Sequence, residues 1–297
     1  MLKPRNPLPE RSLRDERFAW RELVTLCVAA QCVDGEKNKV VFASDFSVET
    51  EISSAEIESK LGFVGDEDYP VLYAGSSSRA RELGNVLNDI LMARGEEESG
   101  LMSDYCKQAV KQQKAKLADE YVGALLGMSF ESLLRQRDRF PEELYRDTLN
   151  EIARMSLGCD LVLIAFSSGQ SQLIRINGTG VNVGGTELCF NFAAIGSGFY
   201  LAEASLFQRE HSSDDSLEDT IYQVYEAMVL GAKAPGVGED FHISIASDAG
   251  DHIEWEHLDD ALYFDYLAKQ FRKFGPKELR PQQIQRQWIM RTKLHGS

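Results

Sequence analysis

The sequence predicts a layered α/β sandwich, in which two antiparallel sheets carry helices on their outer faces. Strand-like apolar runs fill the first quarter of the chain and return from residue 159 onward. Helical periodicity dominates between those regions and returns near the end. This block order favours two antiparallel sheets over a parallel βαβ alternation.

The first predicted element is a β-hairpin over residues 24–45. Two apolar strands flank Asp34 and Gly35, a pair that favours a tight turn because glycine tolerates positive φ. The first strand begins close to Thr25, and the second ends at Asp45. Folding the hairpin therefore brings a hydroxyl and a carboxylate near one another.

Two strands and a helix are predicted next. Residues 57–64 and 69–75 read as extended, and the second run ends in the small residues Ala74 and Gly75. Between residues 77 and 94, apolar side chains recur at spacings of three and four, which predicts a helix with one buried face. Its apolar positions are Ala80, Leu83, Val86, Leu87, Ile90 and Leu91.

The middle of the chain is predicted to be helical from residue 104 to 155, with breaks near Gly127 and at Pro141. The pattern then returns to strands at residues 159–167, 172–176 and 188–195. Both sheets can be completed only with these later strands, so the sandwich is expected to close late in the chain.

The last quarter is predicted to hold two helices, a hairpin and a final helix. One helix follows residues 196–198, and a second begins at Ser216, whose hydroxyl is placed to cap it. Strands at 241–246 and 253–255 form the hairpin, and residues 258–274 form the last helix. We divide the chain into a leader at 1–22, one domain at 23–275 and a tail at 276–297.

Composition excludes several classes of protein. The formal net charge of −15 and the pI near 4.9 argue against nucleic-acid binding, which requires a concentrated basic surface. No apolar run has the length of a membrane span, and no signal peptide is recognised. The odd number of scattered cysteines, 5, indicates a reducing compartment, so a cytoplasmic location is expected. The histidines lack metal-ligand spacing, and neither a metal nor a cofactor is expected.

Several residues and short motifs stand at the ends of the predicted strands. Thr25 is at the head of the first strand, Asp45 closes the second, and Lys60 is at the head of a later strand. Ala74 and Gly75 precede the first helix, and residues 194–198 read Ala-Ile-Gly-Ser-Gly before the paired helices. In these features, residues 24–256 resemble the proteasome β-type family of N-terminal nucleophile hydrolases. The resemblance implies a four-layer αββα fold and hydrolysis of peptide bonds.

The resemblance also implies a role for each of these residues. Thr25 becomes the nucleophile once residues 1–24 are removed, with its free α-amino group as the base. Lys60 stands beside the Thr25 hydroxyl as a cation and lowers the pKa there, and Asp45 orients Lys60 and balances its charge. The Gly75 amide donates to the oxyanion, and Ser197 bonds the terminal amine or its water. The expected partners are a peptide or protein substrate, further copies of the chain in a ring or spiral, and an unidentified regulatory partner.

Two alternatives to the peptidase remain open. Residues 233–238 stand where active family members carry an Asp-x-x-Ser-Gly segment, and Val24 replaces their usual glycine. These differences are compatible with a non-catalytic subunit that keeps its leader. An amidase of the same fold acting on a small substrate is the other alternative. Cys27, on the same strand face as Thr25, is a rival nucleophile, although core packing is the commoner role of such a residue.

Overall fold

The computed structural model describes residues 25–45, 60–66, 68–93, 101–167, 169–179, 183–250, 252–258 and 260–278. The predicted leader lies outside these residues, as does the predicted tail beyond residue 278. Within the described residues, the strands are β1 (Leu26–Asp34), β2 (Lys37–Asp45), β3 (Leu61–Val64), β4 (Tyr69–Gly75), β5 (Cys159–Ser167), β6 (Gln170–Asn177), β7 (Gly185–Cys189), β8 (Phe192–Gly196), β9 (Phe241–Asp248) and β10 (Ile253–His257). The α-helices are α1 (Ser77–Ala93), α2 (Met102–Leu126), α3 (Phe130–Arg135), α4 (Glu142–Arg154), α5 (Phe199–Gln208), α6 (Leu217–Gly231) and α7 (Ala261–Glu278), and a 3-10 helix spans Arg137–Arg139.

The strands form two five-stranded sheets. The first sheet has the order β10-β9-β2-β1-β8, and the second has the order β3-β4-β5-β6-β7. Every strand pair in both sheets is antiparallel. The predicted combination of two antiparallel sheets with helices is therefore confirmed.

The side chains of β1 divide the core into two parts. Cys27 and Ala29 belong to a cluster shared with the second sheet, whereas Leu26 and Val28 belong to a cluster shared with α5, α6 and α7. Successive residues of a strand point to opposite faces, so β1 is covered on both sides. Helices α1 and α2 pack on the second sheet, and the sheets contact each other mainly through β1, β2 and β8 on one side and β4, β5 and β6 on the other. The layers therefore run helix, sheet, sheet, helix.

The connection between β7 and β8 corrects one prediction. The apolar run at 188–195 was expected to be one strand, but it contributes to two strands in different sheets. The chain changes sheets at Phe190 and Asn191, and Asn191 has a φ of +68°, which asparagine tolerates better than most residues. Hydropathy alone cannot locate this change of direction, because the residues on both sides of it are apolar.

The helices follow the predicted pattern closely. The long segment breaks at Gly127, which has a φ of +68°, and at Pro141. The Ser216 hydroxyl accepts a hydrogen bond from the Asp219 N–H at 3.2 Å, which confirms the predicted cap of α6. Helix α7 begins later than predicted and continues past residue 276. No helix among the described residues is both long and apolar enough to cross a lipid bilayer.

Candidate active site

Thr25 immediately precedes β1 and is almost completely buried, with 1% of its surface exposed. Its carbonyl oxygen accepts a hydrogen bond from the Ser197 N–H at 2.8 Å. Gly196 lies so close that an added Cβ would stand 1.9 Å from the same oxygen, and its φ is +95°. Only glycine can occupy this position without moving the backbone. Gly196, the first glycine of the Ala-Ile-Gly-Ser-Gly motif, therefore permits the end of β8 to approach Thr25.

Asp45 ends β2 beside the start of β1. The register pairs Cys27 with Ser44, so Asp45 lies across from Leu26. Its side chain is fully buried, and its Oδ2 atom accepts a hydrogen bond from the Gly238 N–H at 3.2 Å. Burial raises the pKa of the Asp45 carboxyl to about 6, while the Gly238 and Leu26 amides and the positive charge of Lys60 lower the pKa less strongly.

Lys60 lies directly before β3 and is only 5% exposed, so it is not a surface lysine. Its carbonyl oxygen accepts from the Tyr73 N–H at 3.1 Å, and its Nζ atom stands 5.6 Å from the centre of the Tyr73 ring. Within the described residues, no direct ion pair joins Lys60 to Asp45. The Lys60 cation instead acts on the Asp45 carboxyl from a distance, through a low-dielectric interior.

Cys27 connects the two sheets at this site. Its thiol donates to the Tyr73 carbonyl oxygen at 3.4 Å, which joins the start of β1 to the end of β4. Burial, and then the negative charge of Asp45, raise the pKa of the Cys27 thiol well above its usual value, although Lys60 opposes this shift. A buried thiol that holds its proton is a poor nucleophile. The core role of Cys27 is therefore favoured over the rival nucleophile.

Gly75 is the last residue of β4 and has a φ of +103°. Side chains with a Cβ avoid this conformation, so glycine allows the chain to turn sharply from β4 into α1. The Ser76 N–H that follows donates to the Gly158 carbonyl oxygen at 2.9 Å and anchors the turn. Gly75 is two residues beyond Tyr73, which contacts both Cys27 and Lys60, so the turn adjoins the same region.

Two further glycines hold the end of α6 against the start of α5. A Cβ on Gly198 would lie 2.6 Å from the Gly231 carbonyl oxygen, and a Cβ on Gly231 would lie 2.3 Å from Leu26 Cδ2. The α6 end therefore sits directly behind β1. This position delivers the following segment, which contains Gly238, to Asp45.

The structure identifies two participants that sequence reasoning missed. Gly238 belongs to the 233–238 segment, which lacks the acid and the hydroxyl of the family pattern, yet its backbone N–H donates to Asp45. Tyr73 is an ordinary strand residue in the sequence pattern, yet it contacts Lys60 through its ring and Cys27 through its carbonyl oxygen. The glycine-rich composition of 233–238 was a usable signal for close backbone approach, whereas nothing in the local sequence distinguishes Tyr73.

The residues at this site supply a hydroxyl, a buried carboxylate, a buried ammonium group and several backbone amides. Of the five predicted site residues, Thr25, Asp45 and Ser197 lie at neighbouring ends of β1, β2 and β8, and Lys60 and Gly75 lie beside Tyr73 on the second sheet. A carboxyl group with a pKa of about 6, such as that of Asp45, can take up and release a proton near neutral pH. A comparison of the sequence with models of known protein families finds no match, and a search of curated proteins finds none either.

Proposed function

We propose that this chain is a threonine-type N-terminal nucleophile hydrolase, similar to proteasome β-type subunits, that cleaves peptide bonds after residues 1–24 are removed. The observation that carries the proposal is the joint burial of Thr25, Asp45 and Lys60 at adjoining strand ends. Three polar side chains of this kind are costly to bury, and such groups concentrate at functional sites.

The proposed reaction begins at the Thr25 hydroxyl. Cleavage of the bond before Thr25 frees its α-amino group, which accepts the hydroxyl proton as Oγ attacks the substrate carbonyl carbon. The Gly75 N–H donates to the resulting oxyanion. The amine leaves with the transferred proton, and an ester to Thr25 remains. Water then hydrolyses this ester, releases the acid and restores the hydroxyl.

Lys60 and Asp45 have supporting roles in this proposal. The Lys60 cation stabilises negative charge that develops near Oγ, and the Asp45 carboxylate balances that cation within the buried site. Because the pKa of Asp45 is raised to about 6, the carboxylate is charged mainly above that pH. We therefore expect peptide hydrolysis to be lost as the pH falls through about 6.

The proposed fold and partners follow the same family. The helix, sheet, sheet, helix layering supports a four-layer αββα fold of the N-terminal nucleophile class. The proposed substrate is a peptide or protein in the cytoplasm, and the proposed assembly is a homo-oligomeric ring or spiral with a regulatory partner. These assignments rest on the resemblance and on the site residues together.

A second candidate is a non-catalytic subunit that keeps residues 1–24 and acts in assembly. One observation favours it: the hydrogen bond from residues 233–238 to Asp45 comes from the Gly238 backbone N–H and from no side chain of that segment. The side-chain acid and hydroxyl of the Asp-x-x-Ser-Gly segment have no counterpart in that segment. This candidate predicts an intact chain without hydrolytic activity.

The first experiment compares the wild-type chain with Thr25→Ala and Thr25→Ser by intact mass spectrometry and by hydrolysis of fluorogenic peptides. We expect the wild-type chain to begin at Thr25 after incubation and Thr25→Ala to remain uncut, with at least a ~1,000-fold loss of hydrolysis. Thr25→Ser keeps the hydroxyl and is expected to be processed and to retain activity.

Each outcome separates the candidates. A wild-type chain that stays uncut and inactive under these conditions overturns the hydrolase and supports the non-catalytic subunit. Processing without peptide hydrolysis, combined with hydrolysis of small acyl-amides, identifies the amidase alternative. Equal activity in Thr25→Ala and the wild type would remove Thr25 from the reaction.

A further inference from the structure

A cavity of about 540 Å³ lies where the chain passes from β7 to β8, beside the C-terminal end of α5. We call it the crossover cavity. It is separate from Thr25 in the fold, because β8 reaches Thr25 at its opposite end, through Gly196. The residues that carry the argument are Arg175, Glu187, Phe190, Phe207, Glu210 and His211, all of which line it.

His211 is the buried polar group of this cavity. Its side chain has no exposed surface, and its Nε2 atom has no hydrogen-bond partner among the described residues. Its Nδ1 atom faces two acceptors, Gln223 Oε1 at 2.5 Å and Asp215 Oδ2 at 3.2 Å. Because Nδ1 faces two acceptors, it carries a proton, and in the neutral form of the imidazole Nε2 presents a lone pair that can accept from a donor.

The charges around the cavity favour a cation. Its charged lining residues are one arginine and three glutamates. Arg175 already donates to Glu203 at 2.9 Å and to Glu187 at 2.8 Å, so its positive charge is balanced. Glu210 forms no ion pair among the described residues. A ligand anion would meet excess negative charge, whereas a cation would complement Glu210.

The rim of the cavity is aromatic. Phe190 is 81% exposed and Phe207 is 68% exposed, and both rings line the opening. Phe190 and Phe207 are among the most exposed large apolar side chains of the described residues, and aromatic faces attract organic cations. A strongly hydrated metal ion gains nothing from such a rim, because it keeps its water shell.

We propose that the crossover cavity binds a primary ammonium group carried on an apolar stem, the chemistry of a lysine side chain or of a free alkylamine. The ammonium group donates to His211 Nε2 and to the Glu210 carboxylate, and the stem packs between Phe190 and Phe207. The buried Arg175 Nε atom also lacks a partner among the described residues, so a carbonyl near the amine, as in a peptide, adds a second hydrogen bond.

The test uses three probes with the same apolar body, measured by isothermal titration calorimetry on the full chain. They are 2-phenylethylamine, neutral 2-phenylethanol and anionic 3-phenylpropionate. We expect the amine to bind at least ~10-fold more tightly than the alcohol and the acid not to bind. The His211 imidazole nitrogen signals are expected to shift with the amine alone. Equal binding of amine and alcohol, or tighter binding of the acid, overturns the proposal.

Variants assign the contacts. Glu210→Gln is expected to weaken amine binding ~3- to 10-fold because it removes a charge, and Phe190→Ala by a similar factor because it removes an aromatic face. Both side chains are exposed, so neither substitution is expected to disturb the core. Glu143→Gln, an exposed glutamate on α4, is the matched control and is expected to bind normally. If Glu210→Gln behaves like Glu143→Gln, the proposed contact is wrong.

Two further arms locate the source of the amine and separate this site from the hydrolase. Tighter binding of acetyl-lysine-methylamide than of butylamine identifies a peptide lysine as the ligand, and the reverse order identifies a free amine. Amine binding by Thr25→Ala is expected to equal that of the wild type. Loss of binding in that variant would contradict a separate site, whatever the fate of the proposed hydrolysis.

Discussion

Two buried carboxylates, Glu226 within α6 and Asp45 beside the segment that follows α6, are held in contrasting ways. Glu226 receives two hydrogen bonds from the Arg209 guanidinium, at 3.0 and 2.6 Å, and one from the Ser205 hydroxyl at 3.2 Å. Asp45 receives a hydrogen bond from the Gly238 backbone amide, and no salt bridge compensates it among the described residues. Side chains build the first region, and close backbone approaches through glycine build the second.

The difference in compensation has a chemical consequence for each carboxylate. A buried carboxylate that is fully paired is stable but chemically inert, because its charge is already compensated. A carboxylate that is left with little compensation keeps a raised pKa and can respond to a neighbouring charge. The Thr25 region has the second character, which is the physical basis of the proposed function.

Arg209→Met provides the largest test of this contrast. It leaves Glu226 buried opposite an apolar side chain, and we expect a loss of about 3–5 kcal/mol in the free energy of unfolding, measured with urea. Arg135→Met is the control, because Arg135 pairs with Glu131 on the exposed surface and is expected to cost less than about 1 kcal/mol. Equal losses in the two variants would remove the structural role of the Arg209 pair.

Gly196→Ala tests the backbone approach at Thr25. The new Cβ would stand 1.9 Å from the Thr25 carbonyl oxygen, so β8 must move. Gly35→Ala is the matched control, because Gly35 also has a positive φ, +67°, but no neighbouring atom within 4 Å of the added Cβ. We expect a cost of about 1–2 kcal/mol for the control from backbone strain, and at least about 2 kcal/mol more for Gly196→Ala. If Gly196→Ala and Gly35→Ala had similar melting curves, the contact between Gly196 and the Thr25 carbonyl oxygen would not be tight.

Asp45→Asn tests the weak compensation of Asp45 through the pH dependence of stability. The pKa is about 6 in the folded chain, against about 3.9 in an unfolded chain. Between these values the folded state holds a proton that the unfolded state has lost, so the free energy of unfolding falls as pH rises, and the deficit persists above pH 6. We expect the stability of Asp45→Asn relative to wild type to rise by about 2–3 kcal/mol from pH 4 to pH 7.

Urea unfolding at the two pH values measures this difference. Asp138→Asn, at an exposed position in the 3-10 helix, is the control and is expected to change little between them. If the Asp45→Asn difference is independent of pH, the carboxylate is compensated after all, and the contrast with Glu226 fails.

Cys27→Ala is expected to have the smallest effect. The thiol is fully buried and donates a single hydrogen bond, so its removal should cost about 1 kcal/mol of stability. Under the proposed function, peptide hydrolysis should stay within about threefold of wild type, since Thr25 is the nucleophile. A loss as large as that of Thr25→Ala would identify Cys27 as the reacting group and reverse the assignment.

Much of the fold was predictable because its signals are local. The Ser216 cap, the helical breaks at Gly127 and Pro141 and the hairpin turn at Gly35 each depend on residues within one turn of chain. The prediction of a single strand at 188–195 was wrong for the opposite reason: the chain enters a second sheet in the middle of an apolar run, and one polar residue, Asn191, does not by itself specify a change of sheet.

The site divides in the same way. Strand periodicity and glycine positions placed Thr25, Asp45, Lys60, Gly75 and Ser197 near strand ends and turns, whereas the family resemblance alone singled them out as site residues. The sequence did not predict that Gly238 and Tyr73 belong to the site. Gly238 and Tyr73 contact Asp45 and Cys27 through backbone atoms, which every residue type carries. Nor did the sequence indicate that Lys60 acts on Asp45 without a direct ion pair.

Apart from the division between β7 and β8, the sequence alone determined the order of the elements, their apolar faces, and the chemical groups at the ends of the strands. The tertiary structure decided which of those groups are buried together and how strongly each is compensated. Hydropathy and turn signals act over a few residues, whereas the desolvation that raises the pKa of Asp45 depends on atoms brought together from β1, β2 and the segment after α6. Burial is a property of the packed chain, and it sets the chemistry available to Thr25.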